Sequence, residues 1–365
     1  MKANKLYFPN LDGLRTIAFL IVFFGHCFVL FEYKPSMPVL KIFNRLFTHA
    51  DLGVNFFFVL SGFLISYLLL EEKRKNGKNN ILTFYIRRIL RIWPVYFMVV
   101  LLALGLSLIP FSTFSLSNVR FGLVATFLTN LDLVYYNISS VPISVLWSVA
   151  VEEQFYLILP ILILCFGKKI FKVFPILIVF SFFFRFYHHN DSNVALYHSF
   201  SVSSALLVGC ILAYLSLETN FTEQLNRLSK NNISLIYLIL ALAIFFRRGW
   251  FGGAFGTSID SLVFSILFGF VIVEQNFCEH SFYKMNRIKT LSILGKYTYG
   301  LYAYHIIFIC LIQGYYYKFF GQLNSMMIYI GLYILALVFS ILLAMTSYHL
   351  METPFLKLKE KFSPK

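Results

Sequence analysis

The chain has 365 residues, of which 59% are hydrophobic and 13% are charged, and its mean hydropathy is +0.75. A soluble domain of this length cannot bury so much apolar surface, so composition excludes a soluble globular fold and also disorder. The net charge of +15 comes from basic residues in short loops between apolar blocks, which is typical of membrane orientation signals and not of nucleic-acid binding. Because the apolar blocks are long and unbroken, the sequence predicts an all-α integral membrane protein.

Ten apolar blocks approach the ~20 residues that a helix needs to cross the hydrocarbon. They cover 13–31, 52–70, 93–110, 146–166, 173–187, 194–216, 233–248, 258–275, 292–314 and 325–349. With the N-terminus inside, most Lys and Arg residues fall in inside segments, as the positive-inside rule requires. We therefore predict about ten transmembrane helices with both termini cytoplasmic.

The stretch 119–136 is apolar but short, and it carries Asn130 and Asp132. Counting it as a crossing would move Lys168 and Lys169 to the outside, against the charge rule. We expect this stretch to lie at the outer interface or to re-enter the membrane. The chain is then a single membrane-embedded domain over 1–365, without a separate soluble domain.

Ionisable residues within a membrane helix are candidates for function, because their insertion is costly. The first helix carries Asp12, Arg15 and His26. Arg15 and His26 are three helical turns apart, which places them on one face and separates them by about 16 Å along the axis. Taken singly, Arg15 also suits a side chain that reaches the headgroups, and His26 suits a hydrogen-bonded core residue.

Further polar residues occur at similar depth in three other predicted helices. The second helix contains Ser61, the fourth contains the adjacent Glu152 and Glu153, and the ninth carries Tyr302 and His305 on one polar stripe. Which of the two glutamates faces the protein interior stays open at this point. Four of these groups lie roughly 9–14 Å below the outer surface, which predicts one buried site containing His26, Ser61, Glu152 and His305.

A basic segment precedes the third predicted crossing on the cytoplasmic side. Arg88 and Arg91 are three residues apart on an amphipathic turn. Guanidinium groups pair bidentately with phosphate, so this pattern suits a phosphorylated ligand. A membrane anchor that binds anionic lipids is the alternative for such a patch.

Together, these segments resemble the acyltransferase-3 family of multi-pass membrane acyltransferases. The matching motifs, in chain order, are Leu11-Asp12-Gly13-Leu14-Arg15, Gly25-His26, Leu60-Ser61-Gly62-Phe63, Arg87-Arg88 with Arg91, Trp147-Ser148 with Glu152-Glu153-Gln154-Phe155-Tyr156, Tyr299-Gly300-Leu301-Tyr302 with His305, and Glu352 with Pro354. The resemblance implies ten membrane helices in the cell inner (plasma) membrane. It also implies acyl transfer from a cytoplasmic acyl-CoA, usually acetyl-CoA, to a hydroxyl of a cell-envelope glycan or related acceptor.

The resemblance and the chemistry together assign roles to these residues. The family's Arg-x10-His motif maps onto Arg15 and His26, and its Arg-x-x-Arg motif onto Arg88 and Arg91. We expect His26 to act as the catalytic base, because neutral imidazole accepts a proton near pH 7, with Glu152 orienting it or balancing its charge. We expect Arg15 to be a third catalytic residue, and we expect it to bind the CoA phosphates together with Arg88 and Arg91. The remaining candidates for the substrate or structural site are Asp12, Ser61, Trp147, Glu153, Tyr302 and His305.

Several alternatives stay open on the sequence. The acyl group is acetyl or longer, and it is transferred directly or through an acyl-histidine. The expected partners are acyl-CoA, a carbohydrate or lipid-linked glycan acceptor and membrane lipid, with no nucleic acid and no metal. The rival function is a multi-pass transporter or flippase of an envelope precursor, since such proteins also bury charge. A lipid-organising protein is a third possibility, but it leaves the shared depth of the polar residues unexplained.

Overall fold

The computed structural model describes residues 7–30, 48–108, 116, 118–136, 141–281, 283–321 and 325–362. All regular elements in these residues are helical. Ten helices in the described ranges have 14 or more residues, and they are α1 (Pro9–Leu30), α2 (Ala50–Asn76), α3 (Ile81–Ser107), α4 (Trp147–Phe166), α5 (Phe174–Tyr187), α6 (Ser199–Leu215), α7 (Lys230–Trp250), α8 (Gly253–Phe277), α9 (Thr298–Phe320) and α10 (Met326–Ser347).

Shorter helices connect these elements. The α-helical ones are Phe121–Ala125, Thr129–Tyr136, Val141–Ser144, Ser192–Tyr197, Thr219–Asn226, Lys289–Gly295 and Thr353–Glu360. Two 3-10 turns cover Gly167–Lys172 and Met285–Arg287, and a π-helical turn covers Tyr348–Glu352. Gly77 and Gly167 have positive φ angles directly after α2 and α4, the backbone conformation that commonly ends a helix and that glycine adopts without strain.

The prediction of an all-α multi-pass membrane protein is confirmed. Helices lie at all ten predicted positions, and in the described part of the chain eight helical stretches are long and apolar enough to span a membrane. The other two are α5, which has only 14 residues, and α9, whose tyrosines and His305 lower its hydropathy. The number of crossings and the side on which the termini lie stay predictions.

The ambiguous stretch 119–136 forms two short helices, Phe121–Ala125 and Thr129–Tyr136. Neither is long enough to span the hydrocarbon. The segment is held by Tyr96 of α3, whose hydroxyl donates to the carbonyl oxygen of Val124 at 2.8 Å. Asp132 is fully buried, and burial raises the pKa of this carboxyl above its ordinary value although Arg120 lies beside it.

The chain folds as two compact units. The first unit is formed by Met1–Ala18, Leu52–Ile81 and Val151–Gly295. In this unit α6 packs against α5 and α8, and it crosses α2 where two glycines allow backbone contact. A Cβ atom at Gly62 would overlap the Leu206 carbonyl group, and one at Gly209 would overlap the Val59 carbonyl group.

The start of α1 is fixed within the first unit by polar side chains. Asn10 donates to the carbonyl oxygen of Gln275 at 2.8 Å and accepts from the backbone N–H of Asn286 at 3.0 Å. Six residues later, the hydroxyl of Thr16 donates to the carbonyl oxygen of Leu291 at 2.7 Å. These bonds anchor the helical turn that carries Asp12 and Arg15.

The second unit is formed by Phe19–Asp51, Leu82–Ala150 and Lys296–Lys365. It contains the later part of α1, α3, the first turn of α4, α9 and α10. Helix α9 packs along α10 and against Val141–Ser144. The hydroxyls of Tyr304 and Ser347 are 2.8 Å apart and join α9 to α10.

Candidate active site

Two imidazoles of the second unit are hydrogen-bonded to each other. Nδ1 of His26, on α1, lies 3.0 Å from Nε2 of His305, on α9. The second ring nitrogen of His305, Nδ1, lies 2.7 Å from the carbonyl oxygen of Tyr302 one turn earlier. His305 is fully buried, whereas His26 is half-buried. The structure therefore joins two histidines that the sequence separates by 279 positions.

Apolar groups surround this pair and bring α1 close to its neighbours. The ring centroids of Phe19 and Phe23 lie 5.8 and 6.2 Å from that of His305. Gly25, directly before His26, faces the start of α2, where an added Cβ would lie 2.7 Å from the Cβ of Ala50. The small residue at 25 therefore permits the close approach that sets the position of His26.

A second polar link ties the same stretch of α9 to the first turn of α4. The hydroxyls of Tyr302 and Ser148 are 2.6 Å apart, and both residues are buried. Trp147 begins this turn and is half-buried. Tyr302 thus holds α9 through its hydroxyl and binds His305 through its carbonyl group, so one residue fixes both the helix and the imidazole.

The arginine motif also belongs to the second unit. Arg88 and Arg91 lie on adjacent turns of α3, with Arg91 exposed and Arg88 half-buried over the ring of Phe84. Tyr299 of α9 donates to the carbonyl oxygen of Ile92 at 2.8 Å. Since six residues of a helix rise about 9 Å, α9 connects the arginine-bearing part of α3 to His305.

Glu352 lies near the arginine motif of the second unit. It is buried and interacts electrostatically with Arg91, and an added Cβ at Gly300 would lie 3.4 Å from its carboxylate. Glu352 ends a π-helical turn, and Pro354 provides the reason for that turn because it has no N–H for the regular helical hydrogen bond. The side-chain hydroxyl of Thr353 donates to the carbonyl oxygen of Tyr348 at 2.7 Å.

In the first unit, Ser61 and Glu152 are joined through Tyr156. The hydroxyl of Tyr156 donates to the Glu152 carboxylate at 2.8 Å. The same hydroxyl is hydrogen-bonded to Ser61. Since a carboxylate can only accept, the bonds run from Ser61 to Tyr156 to Glu152. Glu153 is half-buried and turned about 100° away on the helix.

Arg15 is paired within its own helix. Its guanidinium donates to Asp12 at 2.8 Å, and Tyr7 donates to the other oxygen of the same carboxylate at 2.6 Å. That hydrogen bond raises the pKa of Tyr7 to about 12. Arg15 keeps 21% of its side chain exposed, against 7% for Asp12. The pair therefore holds a partly accessible guanidinium in a fixed direction.

The structure thus links seven of the predicted residues in three sets. His26, His305 and Tyr302 are linked in the second unit, Ser61 and Glu152 are linked in the first, and Asp12 pairs with Arg15. Sequence reasoning included Tyr156 in a matching motif but gave it no role, although its spacing of four from Glu152 places both on one helix face. It also did not assign the Tyr302 carbonyl group, for which a sequence contains no signal.

Comparison with known proteins finds a matching family profile and several curated relatives. A family profile described as "Acyltransferase domain" matches residues 8–345. The chain is 28% identical over 376 residues to a provisionally named O-acetyltransferase of Staphylococcus aureus strain COL, a match that covers 96% of this chain and 58% of that protein. It is 27% identical over 378 residues to O-acetyltransferase OatA of the same strain, covering 96% of this chain and 57% of OatA. The chain thus spans less than two thirds of the length of these curated relatives. No solved structure gives a significant match.

Proposed function

Because the chain belongs to the acyltransferase-3 family, we propose that it is an O-acetyltransferase of the cell inner (plasma) membrane. It transfers an acetyl group from acetyl-CoA on the cytoplasmic side to a hydroxyl of a carbohydrate or lipid-linked glycan of the cell envelope. The names of the relatives favour acetyl transfer to oxygen. The observation that carries the proposal is a half-buried imidazole, His26, whose Nδ1 is held by a second imidazole at 3.0 Å.

The chemistry of ester formation calls for such a group. An alcohol has a very high pKa, so it attacks a thioester slowly unless a base removes its proton as the new bond forms. Neutral imidazole is the side chain best suited to this at physiological pH. His26 takes the proton of the acceptor hydroxyl, and the imidazolium then protonates the departing CoA thiolate.

The arginines of α3 support the proposed binding of the acyl donor, acetyl-CoA. Arg88 and Arg91 present guanidinium groups on adjacent turns, an arrangement that binds phosphate oxygens bidentately. The same unit contains the catalytic imidazole, and α9 runs from the contact beside Arg91 to His305. We propose that the CoA phosphates bind at these arginines while the flexible arm of CoA carries the thioester toward His26.

The first unit contains further candidate residues. Arg15, directed by Asp12 and Tyr7, presents a partly accessible guanidinium of the kind that binds phosphate. Glu152 and Ser61, connected through Tyr156, form a polar chain for the acceptor or for its proton. Membrane lipid solvates the exposed apolar side chains of the helices.

The test uses purified protein in lipid vesicles with radiolabelled acetyl-CoA and an isolated cell-envelope fraction as acceptor. We expect His26→Ala to abolish both label transfer and release of the CoA thiol while the protein inserts normally. His189→Ala is the matched control, because His189 is an exposed loop histidine. Normal transfer by His26→Ala would contradict the catalytic assignment. Movement of an unacetylated glycan precursor across the vesicle membrane without thiol release would favour the transporter alternative.

The donor site has its own test. Replacing both Arg88 and Arg91 with Gln is expected to raise the KM for acetyl-CoA by at least about tenfold, because charge-assisted bonds to phosphate contribute about 1.5–3 kcal/mol each. Arg227→Gln provides the control at an exposed arginine of the first unit. An unchanged KM in the double variant would place the CoA phosphates elsewhere.

A further inference from the structure

The hydrogen bonds around His305 determine which of its ring nitrogens carries the proton. The carbonyl oxygen of Tyr302, 2.7 Å from Nδ1, has no hydrogen and can only accept. Nδ1 of His305 is therefore protonated and donates. The ring is fully buried beside Phe19 and Phe23, and a cation there would lose its hydration, so the neutral imidazole is favoured.

The position of the proton on His305 determines the position of the proton on His26, because the two rings share a hydrogen bond. Neutral His305 with its proton on Nδ1 has a lone pair on Nε2, which can only accept. Nδ1 of His26, 3.0 Å away, must then donate to it. The neutral His26 ring consequently carries its lone pair on Nε2, the nitrogen that points away from His305.

We propose that His305 is a positioning residue that fixes His26 in the tautomer whose Nε2 is the base. The Tyr302 carbonyl group is the last acceptor in this series of hydrogen bonds. This inference rests on the proposed function, because it assigns the reacting atom of the same acetyl transfer. The logic is that of a base oriented by a third group. A neutral acceptor replaces the carboxylate that orients histidine in serine hydrolases.

The reaction step then has a defined course. Nε2 of His26 takes the proton of the acceptor hydroxyl while the oxygen attacks the thioester carbonyl carbon. The C–S bond breaks as the tetrahedral intermediate collapses, which gives the acetyl ester and the CoA thiolate. The thiolate takes the proton from Nε2, and His26 returns to its neutral form. Throughout the step, Nδ1 of His26 donates to His305, so the reacting nitrogen stays directed.

Three substitutions at position 305 separate this role from packing. The terminal oxygen of Gln reaches about as far as Nε2 of His and accepts the proton of His26, whereas Asn ends near Nδ1 and cannot reach it. Leu fills similar volume without any acceptor. We expect His305→Leu and His305→Asn to lower kcat by about 100-fold or more with little change in KM for acetyl-CoA, since loss of a correctly protonated base costs about 10²–10⁴-fold. His305→Gln is expected to restore most of that loss.

A merely structural role of His305 predicts a different order of activity among the three variants. If His305 only satisfies the Tyr302 carbonyl group, Asn restores activity as well as Gln does. If it only fills space, Leu retains activity. Either order would overturn the proposal, and so would equal kcat values for Gln, Asn and the native protein. Each variant, reconstituted in lipid nanodiscs, is first checked for a single symmetric peak in size-exclusion chromatography. This check separates loss of folding from loss of catalysis.

The tautomer itself is measurable without turnover. Ring-nitrogen chemical shifts of isotope-labelled histidine in the native protein, compared with His26→Ala for assignment, distinguish a protonated Nδ1 from a protonated Nε2. A protonated Nε2 on neutral His26 would overturn the proposal whatever the activity of the variants. Absence of acetyl transfer by the native protein would instead contradict the proposed function, while the spectrum still reports the tautomer.

Discussion

The crossing of α2 and α6 permits a quantitative test of how the first unit positions Ser61. A Cβ added at Gly62 would lie 2.8 Å from the carbonyl carbon of Leu206 and would overlap its oxygen, and one at Gly209 would lie 2.7 Å from the backbone nitrogen of Phe63. Cβ atoms essentially never approach heavy atoms of residues outside their local backbone to less than 3.0 Å. Because both obstacles are backbone atoms, neither can rotate away.

An alanine at either position must therefore push the two helices apart by about 1 Å, which costs about 1–3 kcal/mol or more in a close-packed interface. The matched control is Gly331→Ala in α10, where an added Cβ meets nothing within 4 Å. We expect Gly62→Ala and Gly209→Ala to lower the apparent Tm by several degrees. Gly331→Ala leaves it unchanged or raises it slightly, since alanine favours the helix by up to about 1 kcal/mol.

The measurement is thermal unfolding of the detergent-solubilised protein at one concentration and one scan rate, because unfolding of such proteins is often irreversible. The double variant of Gly62 and Gly209 is expected to lose less stability than the two single losses combined, because the displacement caused by one methyl group makes room for the other. Equal Tm values for Gly62→Ala and Gly331→Ala would refute the reasoning, as would full additivity in the double variant.

Three further predictions concern polar contacts. Tyr302→Phe and Ser148→Ala each remove the bond between α9 and α4, and a double-mutant cycle of unfolding free energies is expected to give a coupling of about 0.5–1.5 kcal/mol. Asp260→Ala leaves the largely buried Arg247 guanidinium without its carboxylate. We expect the free energy of unfolding to fall by about 3–5 kcal/mol and Tm to fall with it. An unchanged Tm would show that the pair is not buried. Tyr156→Phe removes the hydroxyl that bridges serine and glutamate in the first unit; we expect slower acetyl transfer in the vesicle assay with normal insertion, and native rates would exclude that chain from the reaction.

The membrane fold was largely predictable because its main signal is one-dimensional. Runs of apolar residues must lie in hydrocarbon, and a helix satisfies their backbone groups within the run. The boundaries were less predictable where a helix continues beyond the apolar run. The third crossing was predicted at 93–110, yet α3 begins at Ile81, because the amphipathic basic turns that precede the apolar run are helical too.

The pairing of the polar residues was only partly accessible to sequence reasoning. Counting residues along a helix gives the depth of His26 and His305, which predicted that they lie at one level. It does not give the rotation of each helix about its axis, so the direct contact between their rings required the structure. The same limit explains why Arg91 was assigned to phosphate or to anionic lipid and not to a carboxylate, since its electrostatic partner Glu352 lies in a π-helical turn that no periodic pattern predicts.

The arrangement around His26 also explains why a second histidine suits this position better than a carboxylate. An ionised Asp or Glu would stabilise the imidazolium more strongly, but in the second unit it would also place an uncompensated charge beside Phe19 and Phe23, where hydration is lost. A series of hydrogen bonds that ends at the Tyr302 carbonyl group uses only neutral partners, so it adds no charge beside these two rings. In the proposed mechanism, His26 is therefore a base that is directed by geometry and stays neutral until the acceptor hydroxyl arrives.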